Sequence, residues 1–190
     1  MRHTGGSMKS ILFIVGSTRR NSFNRQLAAF ADRLLEGRAQ VGYLAFDRLP
    51  FFNQDTEFPP PQAVASVREM VGQADGLWFF TPEYNASYPG YLKNLVDWLS
   101  RPLKPNDFAS GTAATGKKAT ISGASGKSAA AGSRRKLAEL LSFVGMEVFG
   151  GEGEGFALTR EEFACDKLEL SASDKERLEA QCRGFVEFLG

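Results

Sequence analysis

Apolar residues along this chain fall into two patterns. Short continuous runs predict buried strands at Ser10–Val15 (SILFIV), Leu77–Thr81 (LWFFT) and Lys118–Ser122, with weaker ones at Gln40–Leu44 and Met146–Phe149. Between them, apolar residues recur at helical spacing. Leu27, Phe30, Ala31, Leu34 and Leu35 share one face of a helix that begins near Asn24 and is stopped by Gly37. Further helices are predicted over Gln62–Gln73 and Tyr91–Leu99, and around Leu137, Leu140, Leu141 and Val144. A last helix starts at the capping box Ser173-x-x-Glu176 and points Leu178, Cys182, Phe185, Val186 and Leu189 inward. Asp47–Pro61, Arg101–Lys117 and the glycine-rich Gly150–Gly155 read as loops.

Five strands alternating with five helices predict a parallel sheet covered on both faces. Ligands of such sheets bind beyond the carboxyl ends of the strands. The segments after Val15, Thr81 and Ser122 are therefore the ones to search for chemistry.

Composition narrows the classes. With 190 residues, 43% of them hydrophobic, the chain makes one ordinary domain, here residues 8–190, and Met1–Ser7 reads as a tag remnant or disordered arm. Lys and Arg number 23 against 22 Asp and Glu, which argues against nucleic acid as a partner. No apolar run reaches the roughly 18 residues of a membrane span, and Met1–Ser10 is too polar for a secretory leader. One histidine, His3, and two distant cysteines, Cys165 and Cys182, are too few for a metal site. Cys182 sits on an apolar helical face as an inert core thiol, and Cys165 falls in a loop. The expected setting is cytoplasmic and reducing.

Gly16–Asn24 (GSTRRNSFN) places hydroxyls, amides and an arginine fork just before a helix start. These are the donors that a phosphate monoester needs, and they equally suit a polar turn with an N-cap. A G-x-G-x-x-G dinucleotide loop would need glycine at Thr18 and Asn21, so Asp47, after the second strand, reads as a loop aspartate rather than a ribose ligand. Two stretches imitate a P-loop. Gly111–Lys118 (GTAATGKK) has Lys118 in place of the hydroxyl that binds magnesium and precedes a strand; Ser122–Ser128 (SGASGKS) follows one but has Ile121 at the first glycine position. After the third strand, Pro82-Glu83-Tyr84-Asn85 offers backbone amides and a flat aromatic side, suited to a planar heterocycle; as isolated residues they read as a turn.

Taken together, GSTRRNSFNRQLA, LPFFNQD and TPEYNASYPGYLKNLVDWLSRP resemble the NADPH-dependent FMN reductase family of flavodoxin-like proteins, which includes quinone, azo and chromate reductases. The resemblance runs from Ser10 to about Phe149 and implies a three-layer α/β sandwich of strand order 2-1-3-4-5. It implies FMN held without a covalent bond, its phosphate by Ser17, Arg19, Ser22 and Asn24. The ring and ribityl chain would lie against Pro82, Glu83, Tyr84 and Asn85, closed by Ser122 and Gly123, with Ala124 and Ser125 beside them. It further implies hydride transfer from NADPH or NADH to the flavin, then two-electron reduction of a quinone, azo dye, chromate or free flavin. A homodimer or homotetramer would give Phe51, Phe52, Tyr88, Tyr91 and Trp98 a use beyond the core. The rival classes are an FMN-binding electron carrier, which the neutral charge disfavours, and a P-loop phosphotransferase using Ser122–Ser128.

Overall fold

The computed structural model describes residues 8–190; the arm expected at residues 1–7 lies outside them. Its elements are β1 (Lys9–Val15), α1 (Phe23–Leu35), β2 (Ala39–Tyr43), α2 (Gln62–Gln73), β3 (Gly76–Phe80), α3 (Gly90–Leu99) and β4 (Lys118–Ser125), then α4 (Ala131–Phe143), β5 (Glu147–Val148), β6 (Glu154–Ala157), α5 (Arg160–Cys165) and α6 (Ala172–Leu189). The parallel sheet has the expected order β2-β1-β3-β4-β5.

Side chains alternate across the sheet and so build two cores. Ile11, Phe13 and Val15 of β1, with Trp78 and Phe80 of β3, pack against Leu27 and Ala31 of α1 and Leu178, Cys182 and Phe185 of α6. Leu12, Ile14, Leu77 and Phe79 face the other way, onto Val67 and Val71 of α2, Leu92 and Leu95 of α3, and Leu137 and Leu141 of α4. Both faces of β1 and β3 are buried, which is why these strands read as unbroken apolar runs.

Three expectations are corrected. The stretch Gly150–Gly155 is not all loop. It turns at Gly150, Gly151 and Gly153 and enters β6, which pairs Ser122–Ser125 with Glu154–Ala157. β5 and β6 thus share one edge of β4. A Cβ at Gly153 would lie 1.8 Å from the Ile121 carbonyl oxygen, so only glycine lets the chain return to the sheet there. The last helix is capped two residues earlier than its sequence pattern suggests. Ser171 Oγ accepts from Asp174 N at 3.1 Å and donates to Asp174 Oδ2 at 2.7 Å. The reciprocal capping box instead joins Thr159 and Glu162 and starts α5, so Cys165 ends a short helix rather than lying in a loop.

Both lysines of GTAATGKK are structural. Lys117 Nζ donates to Gly72 and Ala74 carbonyls near the end of α2, and Lys118 Nζ to the Phe188 carbonyl of α6. Trp98, for which a use beyond the core is only what the resemblance would add, is fully buried, with Nε1 donating to Pro50 O at 2.9 Å and Phe52 edge-on to its ring. Among the described residues, no helix is long and apolar enough to cross a membrane.

Candidate cofactor site

The carboxyl ends of β1, β3 and β4 open into a cleft of about 280 Å³. Its floor begins at Gly16, whose N–H donates to Phe80 O at 2.6 Å; a Cβ there would meet Leu92 at 2.7 Å. The chain then turns through Ser17 and Ser22, both buried, into α1. Ser22 is the N-cap, its Oγ accepting from the N–H groups of Asn24 and Arg25 at 3.2 and 3.4 Å. The positive end of α1 therefore faces the cleft beside two hydroxyls, a setting that favours an anion.

Arg19 and Asn24 serve this loop differently. The Arg19 guanidinium lies over the Phe23 ring, donates to Asn21 O at 2.7 Å and pairs with Asp166. Asn21 Nδ2 donates to Asp166 O and Oδ2 at 2.8 and 2.7 Å, so residue 166 latches the loop from the far wall. Asn24 is buried, and its amide is spent on β4: Nδ2 donates to Ala124 O and Oδ1 accepts from Ala124 N, both at 2.9 Å. Its side chain supports the loop before α1 rather than offering a free donor.

Pro82, Glu83 and Tyr84 form the second wall. Tyr84 and Ser87 exchange backbone hydrogen bonds at 2.9 and 3.0 Å, with Asn85 and Ala86 both at positive φ, so the turn between them is a tight two-residue hairpin. Tyr84 is 53% exposed and presents its ring to solvent over the cleft. The Glu83 carboxylate turns away. It accepts from Ser133 N at 3.0 Å, and from Gly132 N–H and the Ser128 hydroxyl. Ala130 precedes α4 in a left-handed conformation and has no capping side chain, so Glu83 caps that helix from another loop. Burial raises the Glu83 carboxyl, but the Ser133, Ser128 and Gly132 donors and the Arg134 charge outweigh it and leave it below its ordinary value.

Ser122 and Gly123 require correction as lining residues, because β4 runs on to Ser125. Ser122 Oγ accepts from Trp78 Nε1 at 2.9 Å and donates to Gln181 Oε1 at 2.8 Å, wholly inside the core. Gly123 is needed where a Cβ would stand 2.7 Å from Ala130 Cβ and 2.9 Å from Thr81 O. Ala124 and Ser125 line the cleft in their place. The same continuation dissolves the resemblance to a P-loop, since Ser122–Ser125, the first four residues of SGASGKS, are strand.

Leu158, just after β6, and Phe163 of α5 complete the cleft, with Phe163 edge-on to Phe23 at 5.3 Å. Sequence reasoning missed this wall and Asp166 together. The one local signal is Thr-Arg-Glu-Glu at 159–162, a capping box that announces a helix but not where it docks. No group of three or more His, Cys, Asp or Glu that could hold a metal occurs among the described residues.

Over 138 residues, 70% of each chain, the sequence is 37% identical to an NAD(P)H-dependent FMN reductase of Pseudomonas aeruginosa. It is 41% identical over 92 residues to a 2-hydroxy-1,4-benzoquinone reductase of Burkholderia sp, covering 48% of this chain and 50% of that protein. The chain thus spans about half the length of the curated quinone reductases it matches. Among solved structures it is similar to FerB, a flavoenzyme NAD(P)H:(acceptor) oxidoreductase of Paracoccus denitrificans, with a TM-score of 0.83 at 29% identity over 96% of this chain and 97% of that one. An archaeal flavodoxin at 12% identity, TM-score 0.59, covering 95% and 98%, shares the fold. Residues 9–153 match the family model, and the chain belongs to the NADPH-dependent FMN reductase family.

Proposed function

We propose that this chain binds FMN without a covalent bond and reduces quinones or similar small acceptors at the expense of NADPH or NADH. The observation that carries it is the convergence, in one cleft, of a phosphate-type donor set and an aromatic edge: Ser17, Arg19 and Ser22 at the start of α1, and Pro82 and Tyr84 after β3.

The residues fit the group. Hydroxyls, a guanidinium and a helix N-terminus are donors to a phosphate dianion, and none of them needs to move a proton to act. The half-exposed Tyr84 ring and the Pro82 turn suit the flat, partly polar edge of a heterocycle. When bound, FMN supplies the electron relay between the nicotinamide nucleotide and the acceptor, while the protein supplies position and electrostatics. Ser17, Arg19 and Ser22 hold and orient the phosphate end. Pro82–Asn85 hold the ring against a turn whose backbone is fixed by the Tyr84–Ser87 hydrogen bonds. Leu158 and Phe163 exclude water from the remaining side. Glu83 and Asn24 keep the walls in place through α4 and β4.

The same reading includes a homo-oligomer in the cytoplasm. Phe51, 86% exposed, supports the first, and the free thiols of Cys165 and Cys182 support the second. The deciding experiment incubates the purified protein with FMN, records the visible absorption of the desalted product, and follows NADPH and NADH oxidation with a benzoquinone. Flavin retained at one equivalent with quinone-dependent oxidation is expected. A protein that retains no flavin, or retains it without turnover, would overturn the proposal.

A further inference from the structure

A second cavity of about 340 Å³ opens at the carboxyl ends of β1 and β2 and shares only Ser17 with the cofactor cleft. Its walls are aromatic and fixed. Phe46 and Tyr91 stack with centroids 4.9 Å apart at 17°. The Tyr91 hydroxyl donates to Val15 O at 2.7 Å and that of Tyr43 to Asp32 Oδ2 at 3.1 Å, so neither ring is free to swing. Arg25 and Asp47 supply the charges.

Arg25 is the unexplained member. It lies in the first turn of α1, where the helix dipole already presents positive charge and a cation is unfavourable. Its guanidinium is exposed and makes no hydrogen bond or ion pair among the described residues, whereas Arg19, six residues earlier, is held by Asp166. Its charge is nevertheless felt by both cavity phenols, tending to lower Tyr43 and Tyr91 against the larger upward push of burial. An unpaired guanidinium at a helix start, beside an aromatic wall and one carboxylate acceptor, is matched by an aromatic base carrying an amino group and a phosphate monoester.

Resting on the proposed NAD(P)H chemistry, we infer that this cavity docks the phosphoadenosine end of the nucleotide co-substrate, with Arg25 pairing its ribose phosphate. Asp47 accepts from an amino or hydroxyl donor, and the base packs against the wall that Phe46 and Tyr91 form together. Ser17, common to both cavities, places that end next to the flavin cleft. NADH lacks the ribose phosphate, so Arg25 makes the chain prefer NADPH.

The test uses FMN-loaded protein and calorimetric titration with adenosine 2′,5′-bisphosphate, adenosine 5′-monophosphate and adenosine, alongside flavin affinity from fluorescence quenching. The expected result is a bisphosphate at least tenfold tighter than the monophosphate, with that preference lost in R25Q, partly kept in R25K and shrinking with added salt. FMN affinity in R25Q should stay within threefold of the native value. A native protein without the preference, an R25Q variant that keeps it, or an FMN affinity changed more than threefold by R25Q would overturn the assignment; the last would give Arg25 to the flavin phosphate. Failure to take up FMN, read before any nucleotide is added, would sink the flavoenzyme reading itself and this ligand with it.

Discussion

Asn24 clasps the Ala124 peptide from both sides, accepting its N–H and donating to its carbonyl at 2.9 Å each across 100 residues of sequence. One side chain thereby fixes the start of α1 to the end of β4, the two elements between which the cleft opens. Asn24→Ala would leave two buried backbone groups without partners, at about 1–3 kcal/mol each before relaxation, so a loss of about 2–4 kcal/mol is expected. Urea unfolding measures it, and a loss below about 1 kcal/mol would contradict the clasp.

Arg19→Ala should weaken FMN at least tenfold, about 1.5–3 kcal/mol, and leave riboflavin almost unaffected, because a charge-assisted bond to the phosphate is what is removed. The Arg19 side chain is 51% exposed, so the difference should shrink as salt is raised. Flavin fluorescence quenching at two ionic strengths tests both statements. Equal losses for FMN and riboflavin would place the phosphate elsewhere.

Legibility in the sequence followed burial. β1 and β3 are covered on both faces and stand out as continuous apolar runs, while β2, with four of its five residues at least partly exposed, gives only the weak signal AQVGY. β6 was hidden because its glycine is demanded by neighbours rather than by a turn: a Cβ at Gly155 would stand 2.4 Å from Ala129 O. Of the site, the loop after β1 and the turn after β3 were readable because their chemistry is local. Ser122 was not, since a serine inside a strand is explained only by Gln181, 59 residues later. Asp166 was not for the same reason, its partners Arg19 and Asn21 lying 147 and 145 residues away.

Acid should loosen the turn that carries Tyr84. The Glu83 carboxyl is held below its ordinary value of 4.5, so the unfolded chain takes up its proton first as pH falls. Its contribution is complete above pH 4.5 and is lost as the pH drops through the lower, folded value. Glu83→Ala should cost about 1 kcal/mol at neutral pH, the usual worth of a helix cap, and nothing further in acid. Thermal melts of both proteins from pH 7 to pH 3 should converge; parallel curves would mean that Glu83 does not cap α4.

The two thiols should separate cleanly under alkylation. Burial pushes the Cys182 thiol up to about 12, and it lies fully inside the α1–α6 core, whereas Cys165 is exposed. Mass spectrometry after treatment near pH 8 should find one label on the native protein, at Cys165, and two in denaturant. Replacing both cysteines by alanine should leave quinone-dependent turnover within about threefold, since the proposed chemistry belongs to the flavin. A larger loss in a protein that still holds FMN would point to a thiol step.

Ser122 distinguishes a core residue from a cofactor ligand. Its hydroxyl accepts from Trp78 Nε1 and donates to Gln181 Oε1, while Gln181 Nε2 donates to Thr120 Oγ1 and Ile121 O at 2.9 and 2.8 Å. Ser122→Ala therefore strands an indole donor and one amide acceptor in a place that water does not reach. The expected cost is about 1–3 kcal/mol in stability. FMN affinity should move by no more than about twofold, because Ser122 is fully buried and the cleft is lined by Ala124 and Ser125 instead. A ligand of the cofactor would behave the other way round, losing affinity with little change in unfolding. Urea unfolding of the flavin-free protein and FMN titration of the same preparation read the two quantities independently. A tenfold fall in FMN affinity with unchanged stability would restore Ser122 to the site.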